Sequence, residues 1–197
     1  MKIGLTTSPR KTPTLDITYN SLLNVGVKQE EISIYDDKDD LGAWPNWFRG
    51  LKNLVAANPN EPWYGMFQDD ILFAPNTRIN TVEFPADAAI CSLFYPEYYA
   101  KIAKRGWTKV EDPSLWAAQA LILSNDAANS ILKSQIVWSL RGTKQVDNRL
   151  GLWANKTGGK VYYYYPSLCE HIGETSTLWE GGLGKAKRAA KMQPSCV

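Results

Sequence analysis

The 197-residue chain has only three cysteines, one histidine and three methionines, and its 22 basic residues nearly balance its 20 acidic ones, leaving a net charge of +2. Each scarcity closes off a class. Cys91, Cys169 and Cys196 are odd in number, far apart and without metal-ligand spacing, so the expected setting is a reducing, cytoplasmic one. A chain so evenly charged does not coat nucleic acid. No stretch reaches the roughly 18 apolar residues of a membrane span, and the start (Met1, Lys2, Ile3, Gly4, Leu5, Thr6) has no apolar signal region. Repeats and low-complexity blocks are missing too. The length suits one domain with a core that needs no cross-links, ending in a tail from 179 to 197 that is expected to be loosely ordered and that carries Lys185, Lys187, Arg188 and Lys191. Aromatics are plentiful, with eight Trp and ten Tyr, and serve cores by default and sugar or nucleobase sites by exception.

The most informative stretch is residues 63–73, an apolar run of the kind that forms a core strand, with Asp69 and Asp70 set inside it. Burying two adjacent anions is costly unless a cation or dense hydrogen bonding offsets it. One reading is a divalent cation site and phosphate chemistry; the other is a turn whose carboxylates cap the next element.

Apolar spacing and turn residues predict strands over 2–6, 31–35, 63–67 and 87–94, with helices over 14–25 (Thr14 as N-cap) and 47–57. Asn58, Pro59, Asn60, Glu61 and Pro62 break the second helix. Further on, a helix runs to Leu132 with Ser124 as N-cap, a short helix covers 143–153, and a β-rich stretch covers 160–173. Cys91 reads as a small core residue. The β-α-β-α-β opening predicts an α/β fold with a mostly parallel central sheet flanked by helices. Ligands in such folds sit beyond the carboxyl ends of the strands. The loops at residues 6–10, 36–40 and 68–70 should therefore meet on one rim. The lone His171 has two readings, a hydrogen-bonded structural residue or, beside the acid pair, a ligand for Mn²⁺.

The strand and polar loop at the start, the acid pair, the run Gln119-Ala120-Leu121-Ile122-Leu123-Ser124, an Asp heading a short helix, and the closing Pro166-Ser167-Leu168-Cys169-Glu170-His171-Ile172-Gly173-Glu174-Thr175-Ser176 resemble nucleotide-sugar-dependent glycosyltransferases of the GT-A (Rossmann-like) fold. The closing motif is similar to that of the N-acetylglucosaminyltransferase IV group, and the compact size to small viral and phage glycosyltransferase domains. The resemblance spans residues 1–178. It implies that Gln68, Asp69 and Asp70 stand at the Asp-x-Asp motif, with Asp70 as metal ligand and Asp69 on ribose or sugar; Gln68 departs from the acid expected first. It implies that His171 ligates the metal or touches the diphosphate, that Thr6, Thr7, Ser8 and Arg10 hold the nucleotide, and that Asp36 or Asp37 contacts base or ribose. Glu170 stands where relatives often carry Gln.

The cofactors implied are Mn²⁺ (or Mg²⁺) and a UDP-sugar, and the acceptor a glycan hydroxyl. Asp147 resembles the general base of inverting members, with a helix N-cap as its other reading. Arg149 reads as a phosphate contact or a solvated surface charge, and Trp116 and Gln119 as flanking acceptor or sugar, Trp116 alternatively as core. Two other functions fit less well: a catalytically silent sugar-nucleotide-binding module, and an enzyme glycosylating modified DNA bases.

Overall fold

The structure is a computed structural model that describes residues 1–9, 12–111, 115–140 and 145–173. Arg10, the 179–197 tail with its basic residues, and Cys196 lie outside the described residues. Among the described residues the strands are, in chain order, β1 (Lys2–Thr7), β2 (Ile32–Asp36), β3 (Trp63–Gln68), β4 (Ile71–Phe73), β5 (Ile90–Ser92), β6 (Gly106–Val110), β7 (Ala120–Ser124), β8 (Val161–Tyr165) and β9 (Cys169–His171). The helices are α1 (Leu15–Asn24), α2 (Ala43–Ala57), α3 (Asn125–Lys133), α4 (Ile136–Ser139) and α5 (Val146–Thr157).

Seven strands form the central sheet in the order β2-β1-β3-β7-β5-β8-β6, and β4 pairs with β9 in a separate two-stranded ribbon. In the sheet β1 is parallel to β2 and β3, and β5 is parallel to β8. The β3–β7, β5–β7 and β6–β8 pairs are antiparallel. Five of the seven strands therefore point one way, with β7 and β6 opposed, which is the expected mostly parallel α/β sheet.

Two apolar layers sandwich this sheet. On one face Trp44, Trp47, Leu51 and Leu54 of α2 pack with Ile131 of α3, Leu150 and Trp153 of α5, and Tyr64, Met66 and Leu121 of the sheet. On the other, Leu22 of α1 packs with Ile3, Leu5, Phe67, Phe73, Cys91 and Cys169. Cys91 is fully buried, as its apolar surroundings predicted. Helix α2 lies so close to the sheet that a Cβ at Gly50 would stand 2.9 Å from the Tyr35 ring.

Some local expectations shift. Thr14 does precede α1, but its hydroxyl makes no cap hydrogen bond. Ser124 does cap α3, accepting from the Ala127 N–H. Helix α2 starts at Ala43 rather than 47, because Asp37 accepts from the Leu41 and Gly42 N–H groups and organises the turn leading in. The strand expected over 87–94 is only Ile90–Ser92, since Leu93 turns out of the β5 ladder to pair with Ala120 and Leu168. No helix among the described residues is long and apolar enough to cross a membrane.

Candidate functional site

The rim forms where β1, β2 and β3 end together. Thr7 lies opposite Asp36, and Thr6 opposite both Tyr35 and Gln68. The parallel register thus brings together the three polar loops. Thr6 turns its hydroxyl back to the Phe67 carbonyl (3.0 Å), and the Asp69 N–H donates to the Thr6 carbonyl (3.0 Å). Thr7 donates to Asp69 Oδ2 at 2.5 Å, and Asp69 is almost completely buried. A short hydrogen bond to a carboxylate is the strong kind, so it fixes Asp69. Ser8 is half-buried just beyond. Asp37 is buried with both oxygens on the backbone of its own loop, whereas Asp36 stays half-exposed. Asn46 of α2 ties the ends of β1 and β2 by donating to the Thr7 and Tyr35 carbonyls.

The Asp69–Asp70 turn is held from below by Thr18 of α1, whose hydroxyl lies 2.7 Å from the carbonyls of Asp69 and Ile71 and accepts from the Ile71 N–H (3.2 Å). The turn feeds β4, whose partner β9 places Ile71 opposite His171. The closing motif directs that pairing. Ser167 is fully buried, donates to the Cys169 carbonyl (2.6 Å) with the Leu93 carbonyl 3.3 Å away, and accepts from the Tyr95 N–H, while Leu168 bridges Leu93 and Ala74 through its backbone. The Ile172 N–H donates to the Asp70 carbonyl (2.8 Å), and His171 Nε2 comes within 3.1 Å of Asp70 Oδ2. Both side chains are about nine-tenths buried.

That pair is the meeting of chemistry the sequence suggested. Among the described residues, no three His, Cys, Asp or Glu side chains gather at a point, and Asp70 and His171 are the two donors that meet here. Two donors suit a cation that completes its shell with phosphate oxygens and water. Adjacent ligands of an octahedral Mg²⁺-sized ion stand about 3.0 Å apart, close to the observed 3.1 Å. Gly173 packs against the pair: a Cβ there would lie 2.9 Å from His171 Nε2 and 3.0 Å from Asp70 Oδ2. The residues fit a divalent cation. Glu170, opposite Leu72, is exposed.

The rim continues through the segment entering β7. The Gln68 N–H donates to the Gln119 carbonyl (2.8 Å), and Gln119 Oε1 is buried without a hydrogen-bond partner among the described residues. Ala117 has φ +73, a region costly for a residue with a Cβ, and its N–H donates to Asp147 Oδ2 (3.1 Å). Asp147 therefore reaches this rim from the first turn of α5. Gln145, not Asp147, occupies the N-cap position, and Asp147 Oδ1 accepts from the Asn148 N–H. Trp116 is locked by Tyr163, whose hydroxyl accepts from its N–H (2.8 Å) and lies 3.0 Å from its carbonyl. Burial pushes the Tyr163 phenol well up, keeping the proton this clamp requires.

Two local readings change. Arg149 is not a solvated charge; it is buried, donates to the Val137 carbonyl, and lies over Trp44 (5.2 Å) and Trp138 (5.9 Å), with burial lowering its pKa. Trp116 is 41 % exposed and stacks on Tyr98, so it is not core.

The sequence matches no protein-family model and no curated protein. Solved structures do resemble the fold. One is a glycosyltransferase involved in glycosylation of the major capsid of PBCV-1 (TM-score 0.53, 15 % identity, covering 89 % of this chain and 95 % of that one). Another is the catalytic domain of Drosophila β1,4-galactosyltransferase 7 with xylobiose (TM-score 0.55, 14 % identity, covering 97 % and 82 %). A mutant of that Drosophila enzyme in complex with manganese, UDP-Gal and xylobiose is also similar (TM-score 0.51, 10 % identity, covering 99 % and 77 %). The likeness to these proteins, over most of their length, gives the chain's mostly parallel α/β sheet with its flanking helices a fold that glycosyltransferases also have.

Proposed function

We propose that the protein is a metal-dependent glycosyltransferase moving a sugar from a nucleoside-diphosphate sugar, a UDP-sugar first of all, to a glycan hydroxyl with inversion. The observation that carries this is the buried Asp70–His171 pair, brought together across the ribbon at the carboxyl rim of the sheet. The manganese and UDP-Gal of a neighbour sharing the fold support the choice of cofactor and donor.

In this reading Asp70 and His171 hold Mn²⁺ or Mg²⁺. A cation there stabilises the negative charge of a departing diphosphate. Thr7 fixes the Asp69 carboxylate toward ribose or sugar, with Gln68 beside it. Thr6 shapes the first loop through its backbone, and Ser8 and Asp36 face the nucleotide, with Arg10 assigned to the same role from outside the described residues. Asp37 contributes by building the second loop. Asp147 takes the acceptor hydroxyl's proton as the oxygen bonds to the anomeric carbon. The bond from that carbon to the diphosphate breaks, and its electron pair leaves with the diphosphate.

A thermal-shift panel of nucleotide sugars with and without Mn²⁺ tests the reading. A UDP-sugar should raise the melting temperature only with the metal, and Asp70→Ala should abolish the metal-dependent part of the affinity by calorimetry. Unchanged affinity in that variant removes the site. One observation favours the silent binding module: both Asp147 oxygens already accept backbone N–H groups. Slow Mn²⁺-dependent release of UDP from the donor decides for the enzyme.

A further inference from the structure

Tyr163 stands in the middle of β8, opposite Ser92 of β5 and Thr108 of β6, and is fully buried. A phenol is tolerated at such depth where its hydroxyl finds partners. The ring packs against Tyr95 (centroids 6.0 Å apart, planes at 75°) and Tyr99 (4.9 Å, 50°), so the sheet carries the hydroxyl at a fixed place. There it meets one residue twice. It accepts from the Trp116 N–H (2.8 Å) and donates to the Trp116 carbonyl (3.0 Å).

The carbonyl contact matters because of what lies at the other end of the same peptide. The Trp116 C=O and the Ala117 N–H belong to one planar trans unit and point in opposite directions across it. One end meets the Tyr163 hydroxyl; the other donates to Asp147 Oδ2 (3.1 Å). Turning the plane breaks both contacts together. Local preference does not choose this orientation, since Ala117 is held at φ +73, where a Cβ is costly. Such a conformation persists where its surroundings over-determine it. Here Tyr163 constrains the peptide from the sheet, and Asp147 grips it from α5.

We propose that Tyr163 is a positioning residue for the catalytic base: through the Trp116–Ala117 peptide it aims an amide N–H at Asp147 and so fixes the direction of that carboxylate. The Asn148 N–H holds the other carboxylate oxygen (3.0 Å), so one amide from α5 and one from the entry to β7 set its plane. Contacts that also suit a silent site then belong to an aimed base. A base is effective only when it faces the proton it takes. Tyr163 acts solely through Asp147.

This inference rests on the glycosyltransferase reading, and the two fail differently. Water stands in for the acceptor: Mn²⁺-dependent release of UDP from the UDP-sugar that binds is measured for the wild type, Tyr163→Phe, and Tyr163→Phe combined with Ala117→Gly, with Ala117→Gly alone as reference. Tyr163→Phe keeps the ring and removes the hydroxyl. Its kcat should fall about tenfold, a share of the roughly 10²–10⁴-fold that a positioned base supplies, with donor KM and UDP affinity unchanged. Glycine adopts φ +73 without strain, so Ala117→Gly should restore most of the kcat lost in Tyr163→Phe. General loosening predicts the reverse, because glycine adds freedom to the chain. Exchange of the Ala117 amide, followed by NMR in ¹⁵N-alanine-labelled protein without donor, should quicken about tenfold in Tyr163→Phe as local opening becomes easier. Ala154 within α5 should keep its protection. Unchanged kcat, a loss of kcat shared with UDP affinity, absence of rescue by glycine, or unchanged exchange at Ala117 overturns the inference and leaves the glycosyltransferase reading standing. Failure of the wild type to release UDP from any donor overturns that reading instead, and Tyr163 then positions no base.

Discussion

At the residue scale the site depends on one absent side chain. Gly173 lies against both proposed metal ligands, and a methyl group there would crowd His171 Nε2 and Asp70 Oδ2 at 2.9–3.0 Å, tighter than real Cβ contacts allow. Gly173→Ala should therefore push the pair apart. Calorimetry should show Mn²⁺-dependent UDP affinity reduced at least about tenfold, in the range expected for disturbing a metal's immediate supports. The melting temperature of the apo protein should change little, because the contact involves functional side chains rather than core packing. An unchanged affinity would show that the imidazole and carboxylate do not act as a pair. His171 and Asp70 were separately legible in the sequence as polar residues of the right chemistry. Their contact was not, because nothing local brings together residues 101 positions apart. The opposite error befell Arg149: its charge suggested solvent, but two indole faces and a carbonyl receive it.

At the scale of elements, α1 acts as a support for the acid turn. Thr18 places a single hydroxyl within reach of two carbonyls and one N–H of the 69–71 backbone, donating its one proton to a carbonyl and accepting from the N–H. Thr18→Val keeps the shape and removes the hydroxyl, leaving buried backbone groups unmatched at a cost of about 1–3 kcal/mol. Urea unfolding should show that loss as a lower midpoint with an unchanged slope. The variant should also bind UDP with Mn²⁺ more weakly, and normal stability would assign Thr18 no supporting role. The elements carrying the first half of the fold were legible because their apolar periodicities are local: β1, β2, β3, α1 and α2 all stand near their expected places. Convergence of their loops followed from parallel topology alone. The three-residue strands β4 and β9 were not legible, since so short a run has no periodicity and gains its identity from its partner. Nor was the stacking of Tyr98 on Trp116, or the positive φ at Ala117, which no glycine announces.

At the scale of the whole molecule, burial governs the response to alkali. Burial pushes up the thiols of Cys91 and Cys169 and the phenols of Tyr35, Tyr64, Tyr95 and Tyr163, and raises Tyr162 to about 12. The unfolded chain releases these protons at ordinary values, about 8.5 for thiols and about 10 for phenols. The folded chain retains them, so its stability is whole below about pH 8.5 and declines as pH climbs toward the raised folded values. The urea midpoint should fall steadily between pH 8.5 and pH 11, and Cys91→Ala should flatten the early part of that fall. A midpoint constant across this range would contradict the burial of these groups. The ribbon of β4 and β9 has a different consequence. A cation gripped by Asp70 and His171 would close a loop of about a hundred residues, acting as a removable staple across the sheet. During synthesis the ligand set stays incomplete until His171 leaves the ribosome, so a growing chain would hold the cation only once the two strands of the ribbon, about a hundred residues apart, had both emerged and paired.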